Sequence, residues 1–576
     1  MKKMLLWVVC LGCLLVASSA FAFDLTILHV NDSHSYLAAT GDRLVVDGKK
    51  TYVDLGGWPR LTTAVKHARR DSSASLLLHA GDAVQGDLYF MKYDGRPEME
   101  FLNRLKFDAY VLGNHEFDKG AKFLANFLEY VGIPVLGANV DAAGMPRLAD
   151  HLKPYVVRCF GQDRVGVIGL VTSDTQYISS PGKGVDFKDV AETARRYVKE
   201  LQDLGVDKIV LLTHVGLEAD KELAASIPGV DIIVGGHSHS LLANPEEMHA
   251  LGKGVDDDYP VVVKGPDGND VYVVQAWKWG RVLGRLDVTF DTDGQVVSAI
   301  GKPVMLVADG FQRKDKSRKR VELTGEVRQA VVDALTRSKV TAVMAEDAPA
   351  AAFLEPYTKG VQAMRKDVIG KAPKTLWHIR APGVNKDGVK LQQGSMIAPL
   401  VAQSMLDKIA TTGDPADIAL VNAGGVRDNL KAGKISVGEI YTLLPFNNTL
   451  FLLEVTGAQL KAALEYGVNR SGGAFPYVAG ARYTANMKRE KGDRIESVEL
   501  QGRDGKWHAL DPTKSYRVVT NAYMAGGGDG YTMLKEIADR YDTGFVDSEA
   551  FIEFVKKTKV LKPPKRTGIT YIPAYK

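Results

Sequence analysis

Five short polar clusters carry the side chains best suited to chemistry: Asp32-Ser-His34, Gly81-Asp82, Gly113-Asn-His-Glu-Phe-Asp118, His214 and Gly235-Gly-His-Ser-His239. Carboxylates, imidazoles and one amide, with no thiolate among them, suit Zn²⁺, Mn²⁺, Co²⁺ or Fe²⁺ rather than Ca²⁺ alone or an iron–sulfur cluster. Two such ions about 3.5–4 Å apart need a shared ligand, which a carboxylate can be. They then activate water and clamp the oxygens of an in-line displacement. Asp82, isolated behind an apolar run with a glycine before it, is the natural bridge. A lone histidine after a strand is ordinarily a capping or core residue, and His29, His67 and His79 are read that way. Five clusters at five strand ends are a different matter.

Each cluster closely follows an apolar run: Ile27–Val30, Leu76–His79, Tyr110–Leu112, Ile209–Leu212 and Ile232–Val234. In an open α/β sheet the carboxyl ends of the strands lie along one edge, where ligands bind, so clusters far apart in sequence converge in space. The fuller strand candidates are Leu25–Val30, Ser75–His79, Ala109–Leu112, Val165–Val171, Lys208–Thr213 and Asp231–Val234. Helical periodicity appears between them at Leu61–Arg70, Phe123–Val131 and Val190–Leu204. That alternation predicts an α/β layered domain. Val271–Trp277 and Gly284–Phe290 read as a later antiparallel pair.

At 576 residues the chain exceeds one ordinary core. The charge run Lys314–Arg320 and a helical stretch Glu326–Arg337 mark the expected linker, followed by a second domain with a helix at Ile397–Ala410 and a strand at Ile418–Val421. The expected division is a leader at 1–22, a catalytic domain at 23–310, a linker with a helix at 311–370 and a second domain at 371–576. The leader reading rests on Lys2 and Lys3, the apolar run Met4–Ala17 and the small-x-small site Ala20-Phe21-Ala22, which together predict export to the periplasm with cleavage near Ala22. The run is shorter than the roughly 20 residues a membrane span needs. Of three cysteines, Cys10 and Cys13 lie in the leader, so Cys159 alone remains and no internal disulfide forms; its apolar setting predicts a buried strand residue. Composition is that of a globular protein, 45% hydrophobic and 25% charged. The formal net charge of +4, two units of it on the leader lysines, is too small to argue for a nucleic-acid polymer as partner. No obligatory protein partner is evident.

Asp32-x-His34, Gly81-Asp82, Gly113-Asn-His-Glu116, His214 and Gly236-His-x-His239 match, in order, the motifs of the calcineurin-like metallophosphoesterases. With Asn422-Ala-Gly-Gly-Val-Arg427, Leu444-Pro-Phe446 and Gly527-Gly-Asp-Gly530, the chain resembles the bacterial periplasmic 5′-nucleotidases, including UDP-sugar hydrolase and NAD-degrading members. The resemblance implies a four-layer metallophosphoesterase β-sandwich with flanking helices, a linker helix and a separate α+β substrate-binding domain. It implies two divalent ions, Zn, Mn, Co or Fe. One would be held by Asp32, His34, Asp82 and His239, the other by Asp82, Asn114, His214 and His237. His115 would face the phosphate, oriented by Asp118. In the second domain Phe446 and Tyr523 would sandwich a base, Arg427 would reach phosphate or ribose, and Asp529 would accept from ribose hydroxyls. Asn422 and Asn448 are weaker candidates for base contacts.

The implied activity is hydrolysis of extracytoplasmic 5′-nucleotides by metal-activated water, with UDP-sugars, NAD and 2′,3′-cyclic nucleotides as further candidate substrates. One departure bears on the ester: relatives carry arginines before the helix that follows Gly394-Ser-Met-Ile397, whereas this chain has Asp387-Gly-Val-Lys-Leu-Gln-Gln393. Arg380, Lys386 and Lys390 are the candidate replacements. Two rival readings are a periplasmic thiosulfohydrolase, against which the aromatic pair argues, and a non-catalytic nucleotide-binding protein, against which the complete ligand set argues.

Overall fold

The strand Phe23–Val30 is buried on both faces from Leu25 onward, as an unbroken apolar run requires. It pairs parallel with Ser75–Ala80 and antiparallel with Val282–Phe290, and Ala109–Val111 continues the parallel part. These strands form the middle of a twelve-stranded mixed sheet. A second, six-stranded sheet is parallel at its centre, through Asp163–Val171, Lys208–His214, Ile232–Val234 and Asp270–Val274. This is a computed structural model, and it describes residues 23–574 apart from 386, 447, 503 and 566. The expected leader lies outside those residues.

Strand side chains alternate between faces, and the alternation builds two cores from one strand. Leu25, Ile27, Leu76 and Leu78 point between the sheets, where they meet Val165, Val167, Val210 and Leu212. Leu28, Val30 and Leu77 point the other way, onto Leu61, Val65 and Leu102 of the helices Trp58–Arg70 and Arg96–Leu105. Helices Val190–Asp203 and Leu217–Ser226 cover the second sheet. The result is four layers, helix–sheet–sheet–helix. Local signals agree with it: Pro59 opens the first of these helices and His67, Arg69 and Arg70 close it, while the Asp189 side chain caps the Glu192 amide.

Two expectations need correction. Asp270–Val274 and Val282–Phe290 do not pair; the first completes the six-stranded sheet and the second joins the twelve-stranded one. Their separating turn crosses from one sheet to the other, which a local reading of two adjacent strands cannot see. Cys159 lies on a strand, Tyr155–Phe160, but this is a sheet edge and the thiol is exposed. Within the stretch 311–370, Arg320–Glu322 and Thr341–Val343 pair with Val304–Lys314 in the large sheet.

The helix Ala348–Met364 then leads to the second domain, packing Phe353 on Phe101 and Tyr357 on Tyr93 with ring centres 5.3 and 4.9 Å apart. That domain holds a five-stranded sheet with Ile418–Asn422 parallel to Ser515–Asn521, and a four-stranded sheet ending in Ile569–Ile572. Helices Ala398–Ile409 and Asp547–Thr558 pack together beside the larger sheet.

Candidate metal centre

The five clusters converge at the carboxyl ends of three neighbouring strands of the large sheet and two of the six-stranded sheet. Asp32 and His34 follow Phe23–Val30, Asp82 follows Ser75–Ala80, and Asn114 and His115 follow Ala109–Val111. His214 ends Lys208–His214, and His237 and His239 follow Ile232–Val234. Turning the chain so sharply takes left-handed backbone, and Asp32, His34, Asp82, His237 and His239 all have φ between 46° and 76°. Non-glycine residues rarely adopt that region, and strain of this kind collects at functional sites. Gly113 and Gly236 meet the same crowding differently: a Cβ on the first would collide with Asp82, and one on the second with the Ala80 carbonyl and the His214 ring.

Asp32, His34 and His239 bring ligand atoms within 4.8 Å of one another, and so do Asp82, His214 and His237. His34 Nε2 is 2.9 Å from His239 Nε2 and 3.8 Å from Asp82 Oδ2, so the two groups adjoin through His34 and Asp82. The far side of each ring sets its orientation. His34 Nδ1 donates to the Gln85 carbonyl at 3.0 Å and His214 Nδ1 to that of Ala80 at 2.7 Å, leaving both Nε2 atoms aimed into the site. His214 Nε2 lies 3.0 Å from Asp82 Oδ2 but out of hydrogen-bonding alignment, and Asn114 Oδ1 is likewise buried without a hydrogen-bonding partner. Orphaned buried acceptors beside carboxylates and bare imidazoles fit divalent cations better than a hydrogen-bonded network.

Electrostatics sharpen the picture. Burial, helped by neighbouring imidazoles and only partly offset by Asp82 and Asp32, lowers His34 to about 3 and His237 to about 4, so both are neutral donors at ordinary pH. Burial also opposes charge on His214, but the Asp82 carboxylate outweighs it and holds the imidazole at about 9. His115 sits apart from the two ligand groups. Its amide donates to Asp82 Oδ1 at 2.9 Å and its Nδ1 lies 2.6 Å from Asp118 Oδ2. Against burial, Asp118 and Asp82 raise it to about 10.

Residues given no role from the sequence hold these loops. The Glu116 carboxylate accepts from the amides of Gly113, Asp82 and Ala83, tying the second and third loops together. Gln275 accepts from the Ser240 amide and donates to the Gly236 carbonyl, fixing the His237–His239 turn. Asn31 Nδ2 donates to Asp32 Oδ2 at 2.6 Å. The second domain also reaches the centre: Asp542 Oδ2 is 2.9 Å from His239 Nδ1, Phe545 packs edge-on to His115 at 5.1 Å, and the backbone at Gly544 leaves no room for a side chain beside His115. Glu116 stands inside its motif; Gln275 and Asp542 give no local signal.

The expected substrate residues gather at the loop after Ile418–Asn422. Asn422 Nδ2 donates to Asp529 Oδ2 at 2.8 Å, and the Tyr523 hydroxyl to Asp529 Oδ1 at 3.1 Å. Arg427 donates to the Gly424 carbonyl and stacks its guanidinium over Phe446 at 5.4 Å. Phe446 and Tyr523 are 52% and 48% exposed, unusual for rings of their size, and among the described residues they make no ring contact with each other. Asn448 turns away, donating to Asp547 at 3.3 Å.

A two-sheet sandwich with paired cation ligands at its strand ends defines a metallophosphoesterase, and comparison with known proteins agrees. Residues 25–241 match the calcineurin-like phosphoesterase model, and residues 368–536 match the 5′-nucleotidase C-terminal domain. A Treponema pallidum protein named "Probable 5′-nucleotidase" is 39% identical, over 95% of this chain and 94% of its own length. The solved NAD nucleotidase of Haemophilus influenzae superposes with a TM-score of 0.85 at 34% identity, covering 96% of this chain and 99% of that one. A 5′-nucleotidase precursor from Thermus thermophilus, 37% identical with the same coverage of both chains, superposes at only 0.58. The chain belongs to the 5′-nucleotidase family of calcineurin-like phosphoesterases. It is a phosphoester hydrolase of a family that uses divalent metals. Among the described residues no helix is long and apolar enough to cross a membrane.

Proposed function

We propose that this chain hydrolyses 5′-nucleotides outside the cytoplasm, after export to the periplasm by its leader, releasing nucleoside and phosphate. The observation that carries the reading is the pair of ligand groups, Asp32–His34–His239 and Asp82–His214–His237, adjoining through His34 and Asp82 with Asn114 Oδ1 orphaned beside them. Two divalent ions bound there supply activated water and positive charge for the phosphate. The protein's own groups do the rest. His115, pinned through Nδ1 by Asp118, presents a protonated Nε2 for the developing charge or the leaving oxygen. Phe446 and Tyr523 stack on the base, Asp529 accepts from the ribose, and Arg427 holds phosphate or ribose.

In this arrangement the second domain turns Asp542, Gly544 and Phe545 toward the metal centre, while the rings of Phe446 and Tyr523 are exposed. A nucleotide gripped by those rings therefore reaches the centre through a swing of the second domain. Two solved relatives of similar identity and equal coverage that superpose at 0.85 and 0.58 support such a swing, because a changed interdomain angle lowers a whole-chain superposition without changing either fold. Domain boundaries near residues 310 and 370 are part of this proposal. No observation favours the sulfur-ester reading, and two exposed rings have no base to stack on in a thiosulfate carrier.

The test is phosphate release from AMP, UDP-glucose, NAD and 2′,3′-cyclic AMP. Release from at least one nucleotide, lost in Asp82→Ala and His115→Ala, is the expected result. Turnover at the wild-type rate in either variant would overturn it.

A further inference from the structure

Asp118 divides its carboxylate between two partners. Oδ2 takes the His115 Nδ1 at 2.6 Å, and Oδ1 takes a hydroxyl proton from Ser179 Oγ at 2.7 Å, from a residue 61 positions away. Ser179 is only 5% exposed and stands just past the short helix Thr175–Ile178, where its amide donates to the Thr175 carbonyl. The Ala121 amide donates to the Pro181 carbonyl, so the loop carrying Ser179 is fastened to the turn carrying Asp118 at a second point. A carboxylate held by one hydrogen bond can rotate about its Cβ–Cγ bond. Held at both oxygens it cannot rotate without breaking one charge-assisted bond, and the imidazole bonded to it keeps one orientation. None of the motifs includes Ser179, and its neighbours Ile178, Ser180 and Pro181 carry no catalytic signal.

We propose that Ser179 is a positioning residue for the His115–Asp118 pair, locking the carboxylate that aims the His115 ring at the reacting phosphate. The proposal rests on the reading of His115 and Asp118 given above. It differs from a purely structural role for Ser179 in what it demands of kinetics. A loop-stabilising hydroxyl would lower the melting temperature and weaken substrate binding and turnover together. A positioning hydroxyl acts on the orientation of one ring, so its loss falls on kcat.

The experiment is a double-mutant cycle on the metal-loaded full chain with AMP, or with whichever nucleotide turns over best. Ser179→Ala should lower kcat about tenfold, the factor expected for one lost hydrogen bond to a charged group, with KM within about twofold. Metal content should match the wild type. In an Asp118→Ala background the same substitution should change nothing further, because the carboxylate it acts through is gone. An unchanged kcat in Ser179→Ala, alongside a large loss in Asp118→Ala, would overturn this proposal and leave the His115–Asp118 reading standing. A loss that carries over undiminished into the Asp118→Ala background would also overturn it. An Asp118→Ala enzyme with the wild-type kcat would instead remove the His115–Asp118 reading, and this proposal with it.

Discussion

Asp542, from the second domain, stands 2.9 Å from Nδ1 of His239, an imidazole whose other nitrogen faces Asp32 at 3.3 Å. A carboxylate behind a ligand histidine fixes the ring and raises its basicity. Here the carboxylate and the ligand belong to different domains. Burial opposes charge on Asp542, but His239 and Lys278 outweigh it and keep the carboxylate ionised. Removing such an outer partner typically costs about tenfold or more in metal affinity. Asp542→Ala should therefore weaken retention of metal about tenfold in a chelator competition. Equal retention would show that the contact does not reach the ion.

Glu116 links two metal loops through four backbone amides, those of Gly113, Asp82, Ala83 and Val84, with its carboxylate buried. Glu116→Ala leaves those amides without an acceptor and should cost about 3 kcal/mol, given 1–3 kcal/mol for each unsatisfied buried group and some relaxation. Denaturant unfolding of the metal-free protein reads this directly. A change within about 0.5 kcal/mol would contradict the role.

Much of this site is legible in the sequence because each signal is local. A buried strand shows as an apolar run, and a polar cluster directly after it marks the carboxyl edge, so Asp32, Asp82, His115, His214 and His239 announce themselves. What binds one loop to another does not. Gln275 stands 35 residues from Ser240, and Asp542 more than 300 from His239; neither spacing has a motif. The same limit explains Val271–Trp277 and Gly284–Phe290. Two neighbouring strands with a turn between them look like a hairpin, and only the sandwich assigns them to different sheets. The apolar neighbours of Cys159 point to burial, whereas its exposure depends on Tyr155–Phe160 having a partner on one side alone.

Three buried carboxyl groups lie near one another where the domains meet: Asp87 and Glu98 from the first and Glu549 from the second. Burial lifts them to about 7, 7 and 8, each also raised by a neighbouring acid or held down only weakly by hydrogen bonds or a distant cation. Neither carboxyl oxygen of Glu98 has a hydrogen-bonding partner among the described residues. Their folded values exceed the unfolded carboxyl values of about 4, so the folded chain binds more protons. The stability they allow is complete below about pH 4 and is lost as pH rises through about 7 to 8. The melting temperature should fall between about pH 4 and 8 and level off above that, and Glu98→Gln, which cannot ionise, should flatten part of that fall. A slope identical to the wild type would contradict the assignment.

Tyr523 is the more informative half of the aromatic pair, since its hydroxyl also meets Asp529. Tyr523→Phe keeps the stacking face and should change KM little. Tyr523→Ala removes a platform worth about 1–3 kcal/mol and should raise KM for AMP about tenfold or more, with kcat within a few-fold. Equal KM values in the two variants would argue against base stacking at this ring.

The most direct test of the central claim measures metal content and phosphate release on one preparation of the full chain. The expected result is two equivalents of divalent metal per chain, nucleotide hydrolysis that stops when chelation removes them, and recovery when they are returned. Hydrolysis that persists undiminished in the metal-free protein would contradict the two-metal assignment of Asp32, His34, Asp82, Asn114, His214, His237 and His239.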